Sequence, residues 1–92
     1  KGYRVGARRY KSVSGEVDII ARRRNLIVFA EVKARSSSQL ALNAITNESK
    51  RRISNTGQYW ISMQPDYANL SWRFDVVAIV PRRWPTHYKD VW

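Results

Sequence analysis

Two acidic residues interrupt apolar runs where a plain core strand would carry Val or Ile. Glu31 lies in Leu26-Ile27-Val28-Phe29-Ala30-Glu31-Val32-Lys33-Ala34-Arg35, and Asp18 lies in Gly15-Glu16-Val17-Asp18-Ile19-Ile20-Ala21. On an extended strand, residues two apart share a face, so Glu31 and Lys33 project together while Val32 points the other way. Neighbouring carboxylates offer hard oxygen ligands to a divalent cation. A lysine beside them can orient or deprotonate a water, or steady negative charge as it develops. These are the parts needed for metal-assisted hydrolysis of a phosphodiester. A Glu-x-Lys triplet alone is more often a solvated strand face with a cross-strand ion pair, so the reading depends on where Asp18 falls.

That position follows from the turn between the two runs. Arg22-Arg23-Arg24-Asn25 separates them, and Asn tolerates the left-handed backbone of a two-residue hairpin turn. A turn at Arg24-Asn25 sets Asp18 opposite Glu31 and Glu16 opposite Lys33. Glu16, Asp18 and Ile20 then share a face with Phe29, Glu31 and Lys33. Val17 and Ile19 share the other face with Val28, Ala30 and Val32. Opposed carboxylates repel, and a bound Mg²⁺ or Mn²⁺ would compensate.

The rest of the chain supplies the frame. Tyr3 to Val13 reads as a charged strand near a sheet edge, ended by the Ser14-Gly15 turn. Ser36-Ser37-Ser38 breaks the Leu26–Arg35 strand, and Leu40 to Ile45 reads as a short turn or helical piece. Thr46 can N-cap a helix whose stripe is Ile53, Gly57, Trp60, Ile61 and Gln64. Gly57 within it suits close packing on the sheet. Lys50 lies on the stripe and should point back toward the acidic face, whereas Arg51 and Arg52 point outward. Asp66 to Ser71 is a polar connection. Trp72 to Val80 reads as a central strand, parallel to the one ending at Arg35 through a right-handed crossover. Trp60 and Trp72 are expected in the core. Asp75 is expected to pair with Arg73 or to cap backbone. Residues 82–92 form a basic, aromatic tail in which His87 packs, and Trp84 and Trp92 pack or stack on bases.

The 92 residues suffice for one domain, 1–92. No run approaches a membrane span, and no signal-peptide pattern opens the chain. The absence of cysteine excludes disulfides and thiolate metal sites. A cytoplasmic location fits. Lys and Arg number 17 against 7 acidic residues, a net charge of +10. The excess favours an anionic partner, nucleic acid before a membrane surface, because the charge is spread rather than gathered in an amphipathic helix. Arg22, Arg23, Arg24, Arg35, Arg51 and Arg52 are candidate phosphate contacts, with Arg82 and Arg83 in the tail. Such contacts position a nucleic acid without reading its sequence.

Gly15-Glu16-Val17-Asp18 followed by Val28-Phe29-Ala30-Glu31-Val32-Lys33-Ala34-Arg35 resembles the PD-(D/E)xK nuclease superfamily. More closely, the chain resembles the YraN family, which is similar to Holliday-junction resolvases. Gly2-Tyr3, Ala7-Arg8, Arg73 to Ala78, His87 and Asp90-Val91-Trp92 extend the likeness over nearly the whole chain. The resemblance implies a restriction-endonuclease-like α/β fold with a three-layer core. Its mixed sheet would hold an antiparallel hairpin and a β-α-β crossover. It implies that Asp18 and Glu31 bind metal and that Lys33 is the catalytic lysine; Glu16, placed by the hairpin register, and Lys50, read as a phosphate contact, are the supporting candidates. Lys50 stands where related nucleases often carry Gln. The superfamily also takes a Glu from a helix ahead of the first strand. With that helix missing before Lys1, the site is expected to be one carboxylate short. The implied activity is a Mg²⁺-dependent DNA endonuclease acting on branched DNA, for which a homodimer would suit a two-fold junction. The alternatives are a non-catalytic nucleic-acid-binding protein with a degenerate site, or an adaptor for an acidic protein.

Overall fold

Five strands and two helices follow the order the hydrophobic pattern requires. In the computed structural model, which describes residues 2–92, the strands are β1 (Arg4–Ser12), β2 (Gly15–Arg23), β3 (Leu26–Ala34), β4 (Ser71–Ile79) and β5 (Thr86–Tyr88). The helices are α1 (Ser38–Asn43) and α2 (Asn47–Ser62). The sheet order is β1-β2-β3-β4-β5. The β3–β4 pair is parallel, spanned by the helices, and the other three pairs are antiparallel. The fold is mixed α/β. No helix among the described residues is long and apolar enough to cross a membrane.

The β2–β3 hairpin has the register its turn dictates. Arg23 pairs with Leu26 and Ile19 with Ala30, leaving Arg24-Asn25 as the turn. Arg24 adopts φ 55°, the left-handed backbone such a turn demands. The parallel β3–β4 register sets Glu31 beside Val76 and Lys33 beside Ala78.

Helix α2 covers the face that carries Phe29. Thr46 caps it, its hydroxyl accepting from the Ser49 N–H at 3.1 Å. Ile53, Thr56, Gly57 and Ile61 are buried, close to the expected stripe, with Thr56 added. The added residue is accounted for by a hydrogen bond between its hydroxyl and that of Ser12 at 3.0 Å, which ties α2 to β1. A Cβ on Gly57 would lie 2.9 Å from Phe29 Cε2, so only glycine lets α2 sit this low. Phe29 in turn meets Trp60 edge-on at 6.4 Å and stacks on Phe74 at 5.3 Å. The hydrophobic core is Val17, Ile20, Ile27, Phe29, Ile53, Ile61, Leu70 and Phe74.

Two expectations are corrected. Val17 does not share a face with Ile19. It joins Ile20 in the core under α2, while Ile19 lines a shallow apolar cleft on the other face with Ala21, Val28, Ala30 and Val77. Residues three apart share a face only where the pleat is broken, and the break falls at Asp18. Trp72, expected in the core, is 42% exposed. It sits at the start of β4, ahead of the buried stretch Phe74–Val76. The tail forms β5 and then folds back onto the sheet, with Trp92 stacked on Phe74 at 4.9 Å, a packing the sequence had offered for it.

Candidate active site

The β2–β3 ladder stops at Ile19–Ala30, one residue short of Asp18 and Glu31. Backbone donors are left without strand partners there, and the two acids take them up crosswise. The Asp18 N–H donates to Glu31 Oε2 at 3.1 Å, and the Val32 N–H donates to Asp18 Oδ2 at 2.9 Å. Each carboxylate is therefore fixed by the other residue's strand, with one oxygen anchored. Their second oxygens take no hydrogen bond from the described residues. This answers the question that repulsion between opposed carboxylates raised: backbone N–H groups supply the first compensation.

Glu31 is 6% exposed. Burial raises its pKa from the ordinary 4.5 to about 7. The Asp18 N–H works against burial, the Asp18 charge adds to it, Lys33 opposes, and Glu16 adds a further push upward. Asp18, Lys33 and Glu16 thus all lie close enough to Glu31 for their charges to act on it. Glu16 Oε2 is buried without a well-aligned hydrogen bond. Its nearest cation is Arg9, whose Nε lies 3.2 Å away.

Lys50 is placed elsewhere. Its ammonium lies over the Trp92 ring at 6.0 Å, and it is not among the charges that shift Glu31. The tail residue supplies a π face where the sequence alone left only the acids as a destination.

The arginines divide. Arg22 is consumed structurally: Nη1 and Nη2 donate to the two oxygens of Asp66 at 3.3 and 2.6 Å, and Nε donates to the Arg24 carbonyl at 2.7 Å. Arg23 lies over the Tyr3 ring at 5.8 Å. Arg24 is exposed at the hairpin turn, and Arg35 is exposed with Nη1 donating to the Ala34 carbonyl at 2.8 Å. Arg52 pairs with Glu48 at 2.6 Å and Arg51 stands 4.0 Å from it, both pointing outward as expected. Arg82 and Arg83 are exposed beyond β4.

A second polar cluster holds the tail. Asp75 is fully buried and accepts from Arg73 through both oxygens, at 2.8 and 2.7 Å, and from the Asp90 N–H at 2.9 Å. His87 Nε2 lies 2.6 Å from Asp75 Oδ2. Burial alone would raise the Asp75 pKa. Arg73, the Asp90 N–H and His87 outweigh it and hold the group below the usual carboxylate range. Both expected roles of Asp75, pairing and backbone capping, are realised. His87 packs as expected, but through a carboxylate.

The donor set fits Mg²⁺ in one specific sense. Asp18 and Glu31 offer two hard oxygens, and a cation that keeps most of its water needs only one or two carboxylates. A closed protein cage is not present: among the described residues no group of three or more His, Cys, Asp or Glu could hold a metal ion.

Fold and site together define a mixed α/β protein with an interlocked acidic pair and a strand lysine at the end of a hairpin ladder. Residues 1–79 match the uncharacterised protein family UPF0102, and the chain belongs to that family, as the YraN-like motifs led one to expect. It is 53% identical over 90 residues to the UPF0102 protein mlr4633 of Mesorhizobium japonicum, covering 98% of this chain and 72% of that protein. It is 48% identical over 92 residues to a UPF0102 protein of Chelativorans sp., covering 100% and 74%. It is 51% identical over 87 residues to a UPF0102 protein of Brucella canis, covering 95% and 69%.

Proposed function

We propose that this chain is a Mg²⁺-dependent DNA endonuclease that hydrolyses phosphodiesters, with branched DNA as the favoured substrate, on a restriction-endonuclease-like three-layer fold. The observation that carries the reading is the cross-strand pair of Asp18 and Glu31, each anchored through one oxygen, with Lys33 acting on Glu31 from the same strand face. Asp18 and Glu31 would hold the cation through their second oxygens. When bound, the cation supplies water activation and charge neutralisation. Lys33 orients the attacking water and offsets charge on the phosphate as the bond breaks. Val32 points away from the site, and its N–H fixes Asp18, so that the carboxylate needs no reorganisation. Glu16 adds negative charge at the rim. The net charge of +10 draws a polyanion to the surface. Cutting a two-fold junction symmetrically would take two copies of the chain.

The test is incubation of branched, flapped and linear DNA with protein and Mg²⁺ or Mn²⁺. Cleavage by wild type, reduced at least 100-fold in Glu31→Ala and in Lys33→Ala, is the expected result; the factor is an order-of-magnitude figure for loss of electrostatic stabilisation. No cleavage by wild type, or equal cleavage by Glu31→Ala, would sink the reading.

The absence of a three-residue ligand group among the described residues and the turn of Lys50 toward Trp92 favour one alternative. It is a nucleic-acid-binding protein with a degenerate site. Thermal melting during Mn²⁺ titration separates the two, because a working site stabilises the fold as it fills. A melting temperature that does not move with metal, alongside salt-sensitive DNA binding, would establish the alternative.

A further inference from the structure

β1 is the outer strand of the sheet, and Arg4, Arg8, Arg9 and Lys11 along it are all exposed. Charges on an edge strand discourage pairing with other chains, and that accounts for Arg4, Arg8 and Lys11. It does not account for Arg9. This residue adopts φ 50° inside a strand, a left-handed conformation that costs a non-glycine residue about 1–2 kcal/mol.

The strain has a visible result. Ala7 and Tyr10, three residues apart, both pack on the core, as do Val17 and Ile20 across the ladder. A regular strand would put each pair on opposite faces. Arg8 pairs with Ile19 and Tyr10 with Val17, so Arg9 and Asp18 face each other at the break. The pleat is reset on both strands at the residue opposite the acidic pair. Arg9 Nε is held 3.2 Å from Glu16 Oε2, yet its side chain is 76% exposed. One edge of the guanidinium meets Glu16, and the other is open.

The hairpin-tip arginines cannot take this place. Arg22 is fully engaged. Arg24 is six residues from Asp18 along an extended strand, roughly 20 Å at 3.4 Å per residue.

We propose that the exposed edge of β1 is the surface along which a nucleic-acid backbone lies, with Arg9 contacting the phosphate next to the Asp18–Glu31 pair. The assignment rests on the nucleic-acid reading above. Arg9 is a positioning residue in this scheme. Glu16 holds its guanidinium at the rim of the site, and a planar fork with free N–H groups suits phosphate.

Arg9→Asn is the informative substitution, because Asn tolerates the left-handed backbone while losing the charge. Its melting temperature should match or exceed that of wild type. Binding to DNA in EDTA, where no strand is cut, is then measured from 50 to 300 mM NaCl. Arg9→Asn should bind about 5- to 10-fold more weakly at 0.1 M salt, and its slope of log K against log salt should fall by about 1. Arg9→Lys should keep the slope. The double variant Arg8→Ala/Lys11→Ala, at exposed positions without ion pairs, should also weaken binding and lower the slope by about 2. Wild-type affinity and slope in Arg9→Asn would overturn the role of Arg9, and the same result in the double variant would overturn the surface. An absence of salt-sensitive binding by wild type would instead overturn the nucleic-acid reading itself.

Discussion

At the scale of single residues, Glu31 is held with a pKa of about 7 against an ordinary 4.5, and this has a stability consequence of definite sign. Between those two values the folded chain binds more protons than the unfolded one. Stability therefore falls as pH rises through the window and stays lower above it. The shift corresponds to at most about 3 kcal/mol at high pH. Glu31→Gln keeps an acceptor for the Asp18 N–H and removes the buried charge. It should raise the melting temperature at pH 8 by about 5–10 °C, corresponding to about 1–2 kcal/mol. It should also flatten the dependence between pH 5 and pH 8. Wild type and variant melting in parallel across that range would show that Glu31 is not the group responsible. On the proposed reading the same substitution should abolish metal-dependent cleavage, so that stability and the proposed chemistry would pull against each other at this one position. The juxtaposition of Asp18 and Glu31 was legible in the sequence, because a two-residue turn leaves one register. The role of Arg9 was not legible. Nothing in Arg8-Arg9-Tyr10 marks the second residue as left-handed, and the break in alternation opposite it is what sets Val17 away from its expected face.

Among the elements, the packing of α2 on the sheet turns on one residue. Gly57 decides how close the helix comes, since a methyl there would stand 2.9 to 3.1 Å from three atoms of the Phe29 ring. Alanine would gain about 1 kcal/mol in helix propensity and lose about 1–3 kcal/mol to overpacking. Phe29 cannot yield easily, held as it is between Trp60 and Phe74. Gly57→Ala should therefore be destabilising by up to about 2 kcal/mol, read by urea denaturation with the m-value unchanged. A stabilised variant would mean that α2 can ride higher on the sheet than this packing implies. The helix, its Thr46 cap and the parallel β3–β4 pair were all readable from periodicity and capping chemistry. The strand β5 was not, because three residues carry no pattern. It is held by Asp75, which receives Arg73, His87 and the Asp90 N–H from three points of the chain. The destination of Lys50 was lost for a related reason. Its partner Trp92 lies 42 residues away and reaches it only once the tail has folded back.

Across the whole molecule, charge is the property that the fold leaves unbalanced. The net charge is +10, and the acids are largely committed. Glu16, Glu48, Asp66 and Asp75 sit in ion pairs with arginines, and Asp18 and Glu31 are turned toward each other's strands. Most of the 17 Lys and Arg residues therefore have no acidic partner among the described residues, and their mutual repulsion opposes compaction. Screening should relieve it, since the Debye length shrinks from about 10 Å at 0.1 M salt to about 3 Å at 1 M. The melting temperature should accordingly rise by several degrees between 50 and 500 mM NaCl, corresponding to about 1 kcal/mol. Sodium chloride is the salt to use, because sulfate would also strengthen hydrophobic burial. A melting temperature that falls with NaCl would show instead that exposed pairs such as Arg52–Glu48 outweigh the repulsion. Over the same range, affinity for DNA should fall steeply as counterion release loses its force. The two responses have opposite signs and a common origin: the cations that destabilise the isolated chain are those a polyanion would neutralise. Saturating DNA at low salt should therefore raise the melting temperature, and the gain should vanish at the salt concentration where binding does.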